Sequence, residues 1–204
     1  KFILKPIAAQ QEAFGKIIRA TLTELRAHDI FLREPQELST EQLGLLALLF
    51  KKDVWQHCEV LSPIRESKVQ DGGLYFVVHF EEEDLALVSI PTSETPRIVE
   101  LPGAGANYIF LDDVVKLSLH LLFPDKEIHG AYTIKLSRDA ELYLEDDYSD
   151  TELVEKIYAS LGKRSSGQPT RLLYDQQLPE NVLEELKKLL DVADVDLMPG
   201  GSHH

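Results

Sequence analysis

Cysteine is nearly absent from this 204-residue chain: Cys58 is the only one, beside a single methionine and a single tryptophan. One thiol excludes an intrachain disulfide framework and fits a reducing compartment, so a cytoplasmic protein is expected. Long apolar runs are missing too. None approaches the roughly 18 residues that a membrane span needs, so no transmembrane segment is expected. The opening "KFILKPIAAQQEAFG" has neither a continuous apolar stretch nor a small-residue cleavage site and does not read as a signal peptide. Internal repeats and low-complexity linkers are absent as well.

Basic charge is scarce where acid is plentiful. Of 21 Lys+Arg and 35 Asp+Glu, residues 1–64 hold eight of each, so residues 65–204 carry the whole net charge of −14. Such a surface repels nucleic acid and anionic headgroups, and a long anionic ligand would have to avoid most of the chain. What is present, 44% hydrophobic residues, suffices for a core in one or two domains.

The first third reads as helical. Phe14, Ile17, Ile18, Leu22 and Leu25 recur at helical spacing between Ala8 and His28 and mark one face for burial. Ser39 with Gln42 three residues later forms a capping box. A second apolar face follows, made of Leu43, Leu46, Ala47, Phe50, Val54 and Trp55, and Pro63 closes the region. Two helices on a short connector pack antiparallel.

From residue 68 the pattern changes. "GGLYFVVHF" and "LALVSI", separated by "EEED", read as a hairpin, and "RIVEL" and "YIFL" as two further strands. Asp112 and Asp113 precede a helix with Val114, Leu117, Leu121 and Leu122 on one face, ended by Pro124. Residues 132–144 alternate apolar on even numbers, Tyr132, Ile134, Leu136, then Ala140, Leu142 and Leu144, with Arg138 on the same parity and Asp139 beside it. An unbroken strand would aim Arg138 into the core, which demands a buried acid. A turn or bulge at Ser137–Asp139 is the favoured reading; a strand-end arginine held by neighbouring carboxylates is the alternative. Ser149 with Glu152 makes another capping box, and Gly162 stops that helix. "TRLLYD" reads as a strand and "LPENVLEELKKLL" as a helix with Pro179 in its first turn.

The expected fold is α+β, a mixed sheet with packed helices, preceded by an N-terminal antiparallel helix pair. Residues 1–64 form the leading helical segment, packed on or continuous with an α+β domain at 65–201. Residues 202–204 read as the start of an affinity tag, since "GGSHH" joins a Gly-Ser junction to histidines, and His203 and His204 are left out of any site.

Chemistry is sparse. His57 and Cys58 are adjacent, so on a helix they diverge by about 100° and make a poor metal pair. His79 alternates with apolar neighbours and is placed on a strand's outer face, while His120 and His129 lack partners at zinc spacing. "EEED" (81–84) and "EDDYSD" (145–150) do not match a calcium loop and read as solvated turn and helix-start charges. "GKRSSG" (162–167) is not a phosphate loop: the position that needs the first glycine is Ile157. Lys156, Lys163, Arg164 and Arg171 nonetheless fall in a stretch without acids, the basic patch of the acidic part. Two titratable groups converging in one pocket, which an independent enzyme would need, are not offered by spacing.

Six segments in order carry a resemblance: "QQEAFGKIIRATLTELRAHDIFL", "LSTEQLGLLALLFKKDVWQHCEVLSPI", "IPTSETPRIVELP", "YIFLDDVVKLSLHLLFPDKEIHGAYTIKLSRDAELYL", "GKRSSGQPTRLLYD" and "LPENVLEELKKLLD…LMPGG". Together they resemble the middle, or head, domain of the long-form bacterial polyphosphate kinases, over residues 10 to 201. The resemblance implies a parent enzyme that transfers the terminal phosphate of ATP reversibly to polyphosphate through a phosphohistidine, with ATP and magnesium as its reactant and metal. In that family other domains carry the catalytic histidines and the phosphate-binding arginines. His28, His57, His79, His120 and His129 do not fall in the phosphohistidine motif. No catalytic, cofactor-binding or metal residue is therefore carried over. The resemblance implies a structural head domain that braces the core and contributes to a homodimer, with the remaining domains of the same polypeptide as partners, no nucleic acid, and peripheral membrane association at most. "PGGSHH" departs from the family after Gly201. Arg97, Arg138, Lys163, Arg164 and Arg171 are the residues expected to touch a neighbouring domain or an anion; a regulatory phosphate or nucleotide contact at 163–171 is the second reading.

Overall fold

The computed structural model describes residues 4–81, 84–102, 104–138 and 169–201. Among these residues, helices α1 (Leu4–Arg26), α2 (Thr40–Leu49), α3 (Leu111–Leu122) and α4 (Glu180–Leu190) accompany two sheets. The larger sheet runs in the order β2 (Val60–Leu61), β4 (Leu85–Ser89), β3 (Leu74–His79), β7 (Gly130–Arg138), β8 (Pro169–Asp175), β9 (Leu197–Gly200). Its pairs are antiparallel except β8 with β9, so the sheet is mixed, as expected. The smaller sheet places β6 (Ala106–Phe110) between β1 (Ile30–Leu32), which is parallel to it, and β5 (Ile98–Leu101), which is antiparallel.

The hairpin of β3 and β4 lies mid-sheet, and its run "LYFVV" is apolar on both parities because both faces are covered. Leu74, Phe76, Val78, Ala86 and Val88 join one core with Leu46, Phe50, Val54, Ile109, Val114 and Val115. Tyr75, Val77, Leu85 and Leu87 join the other with Ile134, Leu136, Leu172, Leu183, Leu186 and Leu190. A strand buried on both sides reads as a continuous hydrophobic run rather than an alternation. This corrects the placement of His79: it ends β3 half-buried rather than on an open outer face.

The Ser39–Gln42 capping box forms in both directions and starts α2. The second apolar face continues past that helix through a π turn at Phe50–Val54 and a 3-10 turn at Trp55–His57. Leu46, Phe50 and Val54 are buried four residues apart, a spacing that suits the wider π turn, whereas Leu43 and Trp55 are exposed.

The first helix departs from expectation. Its stripe was expected to be covered, yet Phe14 is 65%, Ile17 62% and Ile18 42% exposed. Helix α1 instead meets the rest through its C-terminal end, where Arg26 pairs with Glu37 at 3.0 Å and the chain turns through left-handed Asp29 into β1. Helix α2 touches the core it shares with α3 through Leu46 and Leu49, while Leu45 and Leu48 stay exposed. Strand β1 lies in the segment expected to be a connector, and β9 follows α4, where no strand was expected. The Ser149–Glu152 box, the stop at Gly162 and the strand at 140–144 lie outside the described residues, as do 202–204.

Candidate functional site

Arg97 leads into β5. Its Nε and Nη2 donate to the two carboxylate oxygens of Asp112 at 3.3 and 3.0 Å, and its carbonyl accepts from the Leu111 amide at 2.8 Å. Asp112 stands in the first turn of α3, where free amides and the helix dipole favour an anion, and is 1% exposed. The forked contact fixes the guanidinium plane. Arg97 remains 36% exposed, so one edge faces solvent.

Arg138 ends β7 at a register shift between Ser137 and Arg138. The expected bulge is present, but it does not turn the side chain outward: the guanidinium is 1% exposed. Its Nη1 pairs with the Glu66 carboxylate, its Nη2 donates to the carbonyls of Glu66 at 2.7 Å and Val69 at 3.3 Å, and its amide donates to Asp71 at 2.8 Å. Bulge and strand-end ion pair coexist. Among the described residues the partner acids, Glu66 and Asp71, come from the segment before β3; Asp139 lies outside them.

Arg171 sits on β8 opposite Ser137, and Leu172 opposite Leu136. Side chains alternate along a strand, so Arg171 and Arg138 occupy opposite faces of the sheet. Arg171 is exposed, and its Nη2 lies 2.7 Å from the Met198 thioether on β9. Lys163 and Arg164 lie outside the described residues. The structure therefore does not gather Arg97, Arg138 and Arg171 into one site; each ties a different pair of elements.

The remaining polar groups divide by place. His57, Glu59, Gln70, Gly73, Tyr75 and Thr92 line part of a hollow of about 130 Å³ at the β2 edge. Its floor holds the Tyr75 hydroxyl, which accepts from the Gln70 amide at 3.0 Å and whose pKa is pushed up by burial. Glu59 and Glu94 set the sign of this hollow, which suits no anion. Cys58 packs against the first core, and burial pushes its thiol up to about 11, which leaves it un-ionised at neutral pH. His120 donates from Nδ1 to the Leu117 carbonyl at 2.9 Å on α3. His79 and His129 meet edge to face, with ring centroids 5.8 Å apart.

Sequence spacing missed the acids that hold the arginines. Glu66 is separated from Arg138 by 72 residues and leaves no local signal. Asp112 was visible as a helix-start acid, but its bond to Arg97 was not.

Known proteins resemble this chain in sequence and fold. A family model for the polyphosphate kinase middle domain matches residues 56–204. The polyphosphate kinase of Vibrio parahaemolyticus is 29% identical over 208 residues, 95% of this chain and 30% of that protein. That of Escherichia coli is 29% identical over 213 residues, 97% of this chain and 31% of that protein. The crystal structure of polyphosphate kinase from Porphyromonas gingivalis superposes with a TM-score of 0.74 at 26% identity, covering 97% of this chain and 29% of that one. The chain thus spans about three-tenths of the length of the relatives it matches. With the matched residues, the α+β layers and the structural likeness in agreement, this chain belongs to the polyphosphate kinase middle-domain family.

Proposed function

We propose that this chain is a non-catalytic head domain of a polyphosphate kinase, bracing the parent enzyme's core and contributing to its dimer. The observation that carries this reading is the uncovered stripe on α1. Phe14, Ile17 and Ile18, spaced along one helix, form an apolar face that the described residues do not cover. Apolar area left in water at this scale marks a contact surface. The remaining domains of a longer polypeptide and a second protomer are the surfaces that would cover it.

Against a catalytic role here stand the net charge of −14 and the commitment of Arg97 and Arg138 to Asp112 and Glu66. ATP and polyphosphate, with which magnesium enters, need a cationic cradle, which the described residues do not fit. That chemistry is assigned to the parent's other domains, and the parent to the cytoplasm. No helix of the described residues is long and apolar enough to cross a membrane.

The test is light scattering on this chain beside Phe14→Glu/Ile17→Glu, together with ATP-dependent polyphosphate synthesis. Self-association that the double variant abolishes, without synthesis by either, is expected. Synthesis by this chain alone would overturn the reading. The alternative, a regulatory anion contact at 163–171, predicts phosphate-dependent NMR shifts confined to Lys163, Arg164 and Arg171; a flat titration would remove it.

A further inference from the structure

We propose that Glu81, Glu127 and His129 form a surface site for a divalent transition-metal ion of the zinc type. One ligand atom from each residue lies within 4.8 Å of the other two. They come from two segments that the sheet brings together. Glu81 follows Phe80 at the exit of β3, and Glu127 and His129 lie on the segment that enters β7. The junction is fixed by backbone: the His129 amide donates to the His79 carbonyl at 2.9 Å, and His79 pairs with Gly130 at the head of the β3–β7 ladder.

The side chains face outward for a physical reason. Ile128 packs against the first core, so the residues on either side of it, Glu127 and His129, turn toward solvent together. Their Oε1 and Nε2 stand 4.0 Å apart. The edge-to-face packing of His79 on His129 limits rotation of the ligand ring. Zinc holds nitrogen and carboxylate oxygen at about 2.0–2.2 Å, so the donors must close by about 1 Å, which the two exposed glutamates do by rotating toward the imidazole. Lys126, the sequence neighbour of Glu127, is engaged elsewhere. Lys126 Nζ is held by Asp84 at 2.5 Å and lies 4.5 Å over the Phe80 ring.

The imidazole decides the class of ion. Magnesium and calcium take oxygen ligands, whereas one imidazole with two carboxylates suits zinc and its neighbours in the first transition row. Three protein donors leave a fourth position for water or for a donor from another molecule.

The test is a zinc chloride titration of the whole chain by calorimetry and by competition with a chromophoric indicator. The variants are His129→Ala, Glu127→Gln and Glu81→Gln, each checked for an unchanged far-UV spectrum. The chain's other imidazoles and its one thiol remain in every variant, so the difference between isotherms isolates the proposed site. The expected result is a site in the parent that weakens at least about tenfold in each variant and that excess magnesium does not displace. Identical isotherms for parent and His129→Ala would overturn the proposal, as would displacement of the zinc by magnesium.

Discussion

The Glu66 carboxylate closes over the Arg138 guanidinium across 72 residues of sequence, joining the segment before β3 to the last residue of β7. One side chain thereby ties β7 to the segment that leads into β3. Arg138 shares its face with Ile134 and Leu136, so the strand delivers a charge to the edge of a core, and the charge is tolerated because an acid and two carbonyls meet it there.

Glu66→Ala takes the Glu66 carboxylate away from that buried guanidinium. A loss of about 3 kcal/mol in urea unfolding is expected, with a smaller loss for Arg138→Met, which removes the charge along with its need for a partner. Equal losses in the two variants would show that packing, not pairing, dominates the site.

Asp112→Asn tests the buried carboxylate that holds Arg97. The amide cannot accept both Arg97 bonds and gives up the favourable charge at the start of α3, so a loss of about 2 kcal/mol is expected. Thermal unfolding should show it, and Arg97 should become more reactive toward a dicarbonyl reagent. Unchanged reactivity would mean that the Leu111 amide alone positions this arginine.

Gly105 has φ +78°, and a Cβ there would lie 2.8 Å from the Asp29 carbonyl oxygen. Gly105→Ala should therefore cost about 2 kcal/mol, through left-handed strain and a backbone clash. The loss should be accompanied by faster amide exchange in β1 and β6, because the Ala106 amide donates to that same carbonyl at 2.9 Å.

Cys58 supplies a pH dependence. Burial raises its thiol from 9.0 to about 11 in the fold. Below about pH 9 both folded and unfolded chains keep the proton, and the favourable contribution of the neutral buried thiol is complete. As pH rises from about 9 through 11 the unfolded chain ionises first, so stability falls across that window. Iodoacetamide alkylation should rise with a midpoint near 11 in the folded chain and near 9 in urea. A folded midpoint near 9 would contradict the burial argument.

Local chemistry made much of the fold legible in advance. The Ser39–Gln42 box, the β3–β4 hairpin around its acidic turn, the acids opening α3 and the two lysines closing α4 each depend on residues a few positions apart. Strands β1 and β9 escaped because each is only three or four residues long and pairs parallel, β1 with residues more than seventy positions away. For Arg138 the sequence posed bulge and ion pair as alternatives, since nothing near it names Glu66. For α1 the spacing identified the apolar stripe, but spacing cannot say whether its cover lies within the chain. For the Glu81–Glu127–His129 group, spacing concealed a neighbourhood that only the β3–β7 ladder creates.

Helix α1 is 23 residues long, about 34 Å from end to end, and its described contacts gather at one end. It hands its motion to β1, whose three residues are joined to β6. Mechanically this is a long arm on a short hinge. A small push at the Leu4 tip is delivered, multiplied by leverage, to the strand edge beside Tyr108. Whatever grips the apolar stripe on that arm thereby gains purchase on the smaller sheet and on α3, which grows directly out of β6.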